Sequence, residues 1–149
     1  MRKIILASSS IHRKKLLQQI KLNFTAISPD IDESRNKNEP VNKFVKRLSI
    51  EKAMKIAMIK KNSIVIGSDE IAVVDNKILG KPLTKKNARK QLNLISGKKV
   101  TFKTGICVID TDTMKKYSSV VNYYVQMKKL STNIINNNTA SEIVVGIEC

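Results

Sequence analysis

The chain predicts an α/β protein, and three observations carry that prediction. Short apolar runs bounded by small or turn-forming residues, at Lys3–Ala7 and Ile64–Ile66, have the length and composition of buried strands. Between them, Val41, Phe44, Val45 and Leu48 recur at helical spacing. Farther on, Val100–Asp110 and Tyr117–Met127 flank a Thr111-Asp112-Thr113 turn and read as an antiparallel pair. At 149 residues the chain suffices for one domain with a real core and room for two lobes.

In chain order, the first strand ends in Ser8-Ser9-Ser10, and a helix follows with Leu16, Leu17 and Ile20 on its expected inner face. A strand, a small polar loop and a helix start leave free backbone N–H groups suited to an anion. Arg13 falls in the first turn, where the helix dipole disfavours a cation and a bound phosphate would reverse the penalty. Serine capping with a solvated basic face accounts for the same residues. Asn23–Ser28 reads as a second strand. In Pro29-Asp30-Ile31-Asp32-Glu33 acids then concentrate, and with the later acids they could offer oxygen ligands to a hard cation such as Mg²⁺. Asp30 and Glu39 are read as solvated turn residues.

Pro40 opens a long helix. Its apolar stripe, continued from Leu48, meets Lys52 before Ile56, and a lysine facing the core is unusual enough to mark it as a phosphate ligand. The stretch from Ile64 to Pro82 organises the rest. A short strand ends at Gly67, Asp69 and Glu70 follow, and Ile71–Val74 resumes the apolar run. An unpaired carboxylate inside an apolar segment is costly, so the acids read as functional. Asp75-Asn76 makes a hairpin turn, and the chain returns to Gly80-Lys81-Pro82, predicting a carboxylate pair at a strand end with a lysine nearby. Thr84 caps the next helix, Leu83 and Ala88 form a staple, Ala88, Leu92 and Ile95 face inward, and Gly97 stops it. Val121, Tyr123, Val125 and Met127 alternate and predict one buried face. Past Leu130, Ser131-Thr132 could cap a helix, but Asn136-Asn137-Asn138 is poor in helix propensity.

Composition excludes several functions. The formal charge of +16 invites a nucleic-acid reading, yet only five of the basic residues are arginine and aromatic content is 4%, too little for a base-stacking surface. Lys, Asn and Ile in abundance point to biased genome composition, and the basicity suits an anionic small substrate. One histidine, His12, excludes the two-histidine zinc motifs. Cys107 and Cys149 make no disulfide framework, and no apolar run reaches leader or membrane-spanning length, so a soluble cytoplasmic protein is expected.

Taken together, several segments resemble the Maf family of nucleotide pyrophosphatases. They are Ile5–Leu17, Asp30–Glu33, Glu51-Lys52-Ala53, Ile66–Glu70, Gly80-Lys81-Pro82 and Ser96-Gly97. The Gly-Ser-Asp core, Gly80–Thr84 and Asn87-Ala88-Arg89 look most like the branch that hydrolyses 7-methyl-GTP. The resemblance implies a mixed, strongly curved, inosine triphosphatase-like sheet flanked by helices, two lobes around a cleft, and frequent homodimers. It implies conversion of a nucleoside triphosphate to the monophosphate and pyrophosphate with a divalent metal, Mg²⁺ or Mn²⁺, keeping modified nucleotides out of nucleic acid. On that basis Ser8, Ser10, Arg13, Lys52 and Lys81 bind the triphosphate, Glu33 and Asp69 bind the metal, and Asp69 accepts the proton of the attacking water. His12 and Glu70 select the base, although the branch typically shows tryptophan and glutamine there, and Ile11 replaces a usual proline. The family's elements beyond Leu130 find no recognisable counterpart, so residues 1–149 read as a single Maf-like domain truncated or divergent after about residue 130. A catalytically impaired nucleotide-binding remnant is the alternative reading, and a basic nucleic-acid-binding module ranks behind both.

Overall fold

The computed structural model describes residues 2–137. In chain order its elements are β1 (Lys3–Ala7), α1 (Ile11–Gln19), β2 (Thr25–Ile27), α2 (Val41–Ala57), β3 (Ser63–Val74), β4 (Lys77–Leu79), α3 (Lys85–Ile95), β5 (Lys99–Asp110), β6 (Lys116–Gln126) and α4 (Thr132–Asn137). The six strands form one sheet in the order β2-β1-β3-β5-β6, with β4 paired to β3. β1 runs parallel to both β2 and β3, while β4 runs antiparallel to β3, so the sheet is mixed, as expected of the α/β class. The chain divides into two compact units, 1–69 with 104–121 and 70–103 with 122–149.

In the first unit, Ile5 and Ala7 of β1, Val65 of β3, and Cys107 and Ile109 of β5 bury against Ala53, Ile56 and Ala57 of α2. Two glycines let α2 lie flat on the strands. A Cβ on Gly67 would stand 2.3 Å from the Ser49 carbonyl oxygen, and one on Gly105 would stand 2.4 Å from that of Val45. No side chain fits at either place, so both positions need glycine for space. Gly67, expected to end a short strand, lies inside a twelve-residue one. α1, by contrast, has no buried residue, and Leu16 and Ile20 are exposed, against the expected inner face. Helical spacing shows that a stripe exists but not that a layer covers it. The second strand shrinks to three residues, Thr25–Ile27.

In the second unit, Ala72, Val74 and Leu79 of the hairpin pack with Ala88, Leu92 and Ile95 of α3, with Val100, and with Ile135 of α4. Asp75 and Asn76 both take positive φ (47° and 61°), the mirror-image turn expected for them. Thr84 caps α3, its hydroxyl accepting from the Asn87 N–H at 3.1 Å. Gly97, with φ 69°, follows the helix end as predicted. The predicted Leu83 staple does not form: Leu83 has φ 55° and is 87% exposed. Asn136 and Asn137 do join a short helix, because Ser131 receives the Ile134 N–H and Ile135 reaches the core, a tertiary contact that outweighs weak propensity; Asn138 lies outside the described residues. β6 buries no face; Tyr117, Val121, Tyr123 and Tyr124 are exposed. It ends the strand order, and alternation alone cannot tell a covered face from an open one. The expectations for residues 139–149, the closing apolar run among them, lie outside the described residues.

Candidate active site

The parallel register of the two central strands sets the site. Ala7 of β1 pairs with Gly67 of β3, so Ser8, the first residue past β1, comes alongside Ser68 and Asp69. Ser8 is buried, and its N–H turns back to the Leu6 carbonyl. Its hydroxyl accepts from the Ser10 N–H at 3.1 Å and from Arg13 Nη1 at 3.3 Å. Ser10 is the N-cap of α1, accepting from the Arg13 N–H at 3.3 Å. Three expected phosphate ligands, Ser8, Ser10 and Arg13, are thus brought together by one short loop. Of the two readings the sequence posed, capping is seen directly at Ser10, and it leaves room for an anion, since α1 carries no acid in its first turn and Arg13 reaches back to Ser8. His12 lies half-buried in the same turn.

The glycine contact at Gly67 sets the second half. With the helix pressed on β3 at Ser49, the residue one turn later, Lys52, lies over Asp69, two residues along the strand on the same face. Lys52 is 5% exposed and Asp69 7%. Lys52 Nζ donates to Asp69 Oδ1 at 2.7 Å and stands 2.7 Å from Glu33 Oε1. The lysine singled out on the apolar stripe is therefore core-facing, as the spacing required, but its partners here are two carboxylates.

Burial pushes the Asp69 carboxyl above its usual range; Lys52 and then Arg13 oppose the rise, and Glu33 adds to it. That Arg13 is felt at Asp69 joins the serine loop and the carboxylate cluster into one electrostatic site. A buried carboxylate held by one lysine, with a raised proton affinity, is what a general base requires. Glu33 and Asp69 both point their oxygens at one cationic atom, so the donor pair fits a hard divalent cation, which typically takes one or two carboxylates and completes its shell with phosphate and water. Among the described residues no group of three His, Cys, Asp or Glu gathers for such an ion, here or elsewhere, so the protein would supply only these two carboxylates.

Asp69 and Glu70 do not act as a pair at a strand end. Both lie within β3, and successive strand residues project from opposite faces, so Asp69 turns toward α2 and Glu70 away. Glu70 and Lys81 belong to the second unit, Lys81 exposed in the segment after β4. Glu39 is not a solvated turn residue either. Its carboxylate receives Arg47 Nε and Nη2, both at 2.8 Å. The sequence signal for this pairing was an arginine on α2 beside the apolar stripe with acids eight residues before it and four after.

A family model described as Maf-like protein matches residues 3–146. The chain belongs to the Maf family. Relatives of this Maf chain include proteins named 7-methyl-GTP pyrophosphatase. The Alcanivorax borkumensis protein is 43% identical over 127 residues, covering 85% of this chain and 64% of the relative. The Pseudoalteromonas translucida protein is 45% identical over 128 residues, covering 86% and 63%. The Colwellia psychrerythraea protein is 41% identical over 137 residues, covering 92% and 68%. The chain therefore spans about two thirds of the length of these relatives. Among solved structures, the Ham1 protein of Staphylococcus aureus superposes with a TM-score of 0.48 at 17% identity, covering 84% of this chain and 71% of that one.

Proposed function

We propose that this Maf-family protein hydrolyses 7-methyl-GTP, or a related modified purine nucleoside triphosphate, to the monophosphate and pyrophosphate. The observation that carries the reading is the buried Lys52–Asp69 pair, joined by Glu33 and set beside the Ser8–Arg13 loop. The name shared by relatives at 41–45% identity favours the same reaction and the same substrate.

In the proposed reaction, Arg13, Ser8 and the N-terminus of α1 bind the polyphosphate. Lys52 holds the Asp69 carboxylate in place. Asp69 takes a proton from the attacking water, whose oxygen bonds to the α-phosphorus as the bond to the bridging oxygen breaks and pyrophosphate leaves. A raised proton affinity makes Asp69 a better acceptor than an exposed aspartate. Glu33 and Asp69 would hold Mg²⁺ or Mn²⁺, which when bound offsets charge on the phosphates. Lys81 as a phosphate ligand, and His12 and Glu70 as base selectors, belong to the same proposal. Glu70→Ala, which removes the acceptor altogether, is expected to weaken discrimination for the cationic methylated ring, read as the ratio of kcat/KM for 7-methyl-GTP and GTP. Residues 1–149 act as one Maf-like domain in this reading. The cytoplasm suits it, Cys107 being a buried free thiol. The homodimer implied by the family resemblance is read by light scattering.

The decisive assay is pyrophosphate release from a nucleotide panel with Mg²⁺ or Mn²⁺. Wild type is expected to outpace Asp69→Asn on at least one nucleotide; equal rates throughout would end the proposal. Saturable nucleotide binding by calorimetry without pyrophosphate release would favour a binding protein that does not turn over.

A further inference from the structure

Glu33 poses a physical problem that burial does not solve. Its side chain is 58% exposed, and it sits in a segment without helix or strand, yet its carboxylate meets Lys52 at 2.7 Å. An exposed carboxylate on an irregular loop keeps one position only if the chain beside it is held, because ordering each residue costs backbone entropy.

Arg47 supplies that hold from α2. Its guanidinium uses all of its nitrogens. Nε and Nη2 donate to the two Glu39 oxygens at 2.8 Å each, and Nη2 also donates to the Ser34 carbonyl at 3.0 Å. Nη1 donates to Glu51 at 3.1 and 3.3 Å, and the group lies 5.4 Å from the centre of the Phe44 ring. Glu51 and Phe44 share its helix and fix the fork's orientation. Ser34 is the residue next to Glu33, and Glu39 closes the far end of the loop. The loop is braced internally as well: Asp32 receives the Ser34 N–H at 2.9 Å and its hydroxyl at 3.0 Å, Glu39 receives the Asn36 N–H at 3.2 Å, and Arg35 donates to the Glu39 carbonyl. One helix therefore presents Lys52 to the Glu33 carboxylate and Arg47 to the adjoining backbone.

We propose that Arg47 is a positioning residue for Glu33, clamping Ser34 and Glu39 to α2 so that the Glu33 carboxylate stays at the Lys52–Asp69 pair. The proposal rests on the pyrophosphatase reading for its kinetic arm, not for its binding arm. Lysine cannot replace the arginine, because one ammonium cannot hold a bidentate carboxylate and a carbonyl in fixed directions.

A double-mutant cycle tests it with Arg47→Lys, Glu33→Gln and the pair together. Mn²⁺ affinity is measured by electron paramagnetic resonance without nucleotide, and pyrophosphate release is measured alongside. Arg47→Lys is expected to weaken Mn²⁺ binding about tenfold, the usual scale for a residue that orients a ligand. The paired variant should be no weaker than Glu33→Gln alone, because Arg47 acts through Glu33. Amide exchange at Ser34 and Asn36 should speed up in Arg47→Lys, while amides of α2 keep their protection. Losses that add in the paired variant, Mn²⁺ affinity unchanged by Arg47→Lys, or exchange that accelerates equally across α2 would each overturn it. If wild type releases no pyrophosphate, the catalytic reading falls while the Mn²⁺ and exchange arms still decide the role of Arg47.

Discussion

Lys52 and Asp69 form the contact on which the proposed chemistry and much of the local energetics turn. Leaving one member of a buried ion pair without the other costs about 3–5 kcal/mol. Lys52→Ala is therefore expected to destabilise the protein by about 3 kcal/mol near neutral pH. The stranded Asp69 would then hold its proton to still higher pH, so the deficit should shrink on acidification. Urea unfolding at about pH 8 and about pH 5 reads this directly, and a deficit equal at both would refute it. Asp69→Asn keeps the shape and removes the proposed base; the expected loss in pyrophosphate release is about 10²–10⁴-fold, the usual scale for general-base catalysis. That Lys52 faces the core was legible in the sequence, because helical spacing places it on the stripe. Its partners were not: Asp69 lies seventeen residues on, and Glu33 sits on a loop whose path no periodicity describes.

Among the elements, α2 does most to position these groups, and it does so through two strand glycines. A methyl group at Gly67 would press on the Ser49 carbonyl and the Ala53 backbone and push the helix off β3. Gly67→Ala is expected to cost about 1–3 kcal/mol, the range for overpacking a close contact. It should also reduce pyrophosphate release, since Lys52 moves with the helix. Thermal unfolding and the pyrophosphate assay check both, and a fully stable, fully active variant would show that α2 has room to spare. The sequence marked Gly67 as a boundary, as a glycine after a β-branched run commonly is. Only the paired strands show the chain continuing through it to Val74, and that continuation sends Asp69 and Glu70 to opposite faces.

For the whole molecule, charge is the governing quantity. With a formal charge of +16 the folded chain repels itself, so added salt is expected to raise the midpoint of thermal unfolding between about 10 and 200 mM NaCl. A flat or falling midpoint would contradict this. Acid works through particular carboxylates. Asp32 is held below its ordinary 3.8 by the Ser34 N–H and hydroxyl, Asp110 below 3.8 by the Asp112 N–H and then by Arg2, and Glu39 below 4.5 by Arg47. A depressed carboxyl contributes stability that is present above its unfolded value and lost as pH falls through its folded value. Asp69, raised by burial, has the opposite sign: its contribution is full below 3.8 and fades as pH climbs through its folded value. Stability should therefore decline below about pH 4.5, and Asp69→Asn, lacking the opposing contribution, should decline more steeply. Urea midpoints from about pH 7 to about pH 3 measure both slopes. Among the described residues no helix is long and apolar enough to cross a membrane.

By itself the sequence determined the alternation of strands and helices, the Asp75-Asn76 turn, the Thr84 cap and the residues that mark a Maf chain. Each of these depends on neighbours a few positions apart, where spacing and backbone preference act directly. Tertiary structure alone decided which apolar stripes are covered, which face of β3 carries Asp69, and how Arg47 and Lys52 reach the Glu33 loop. Those outcomes depend on groups distant in the chain that meet only when α2 settles on the sheet, and local chemistry holds no record of that meeting.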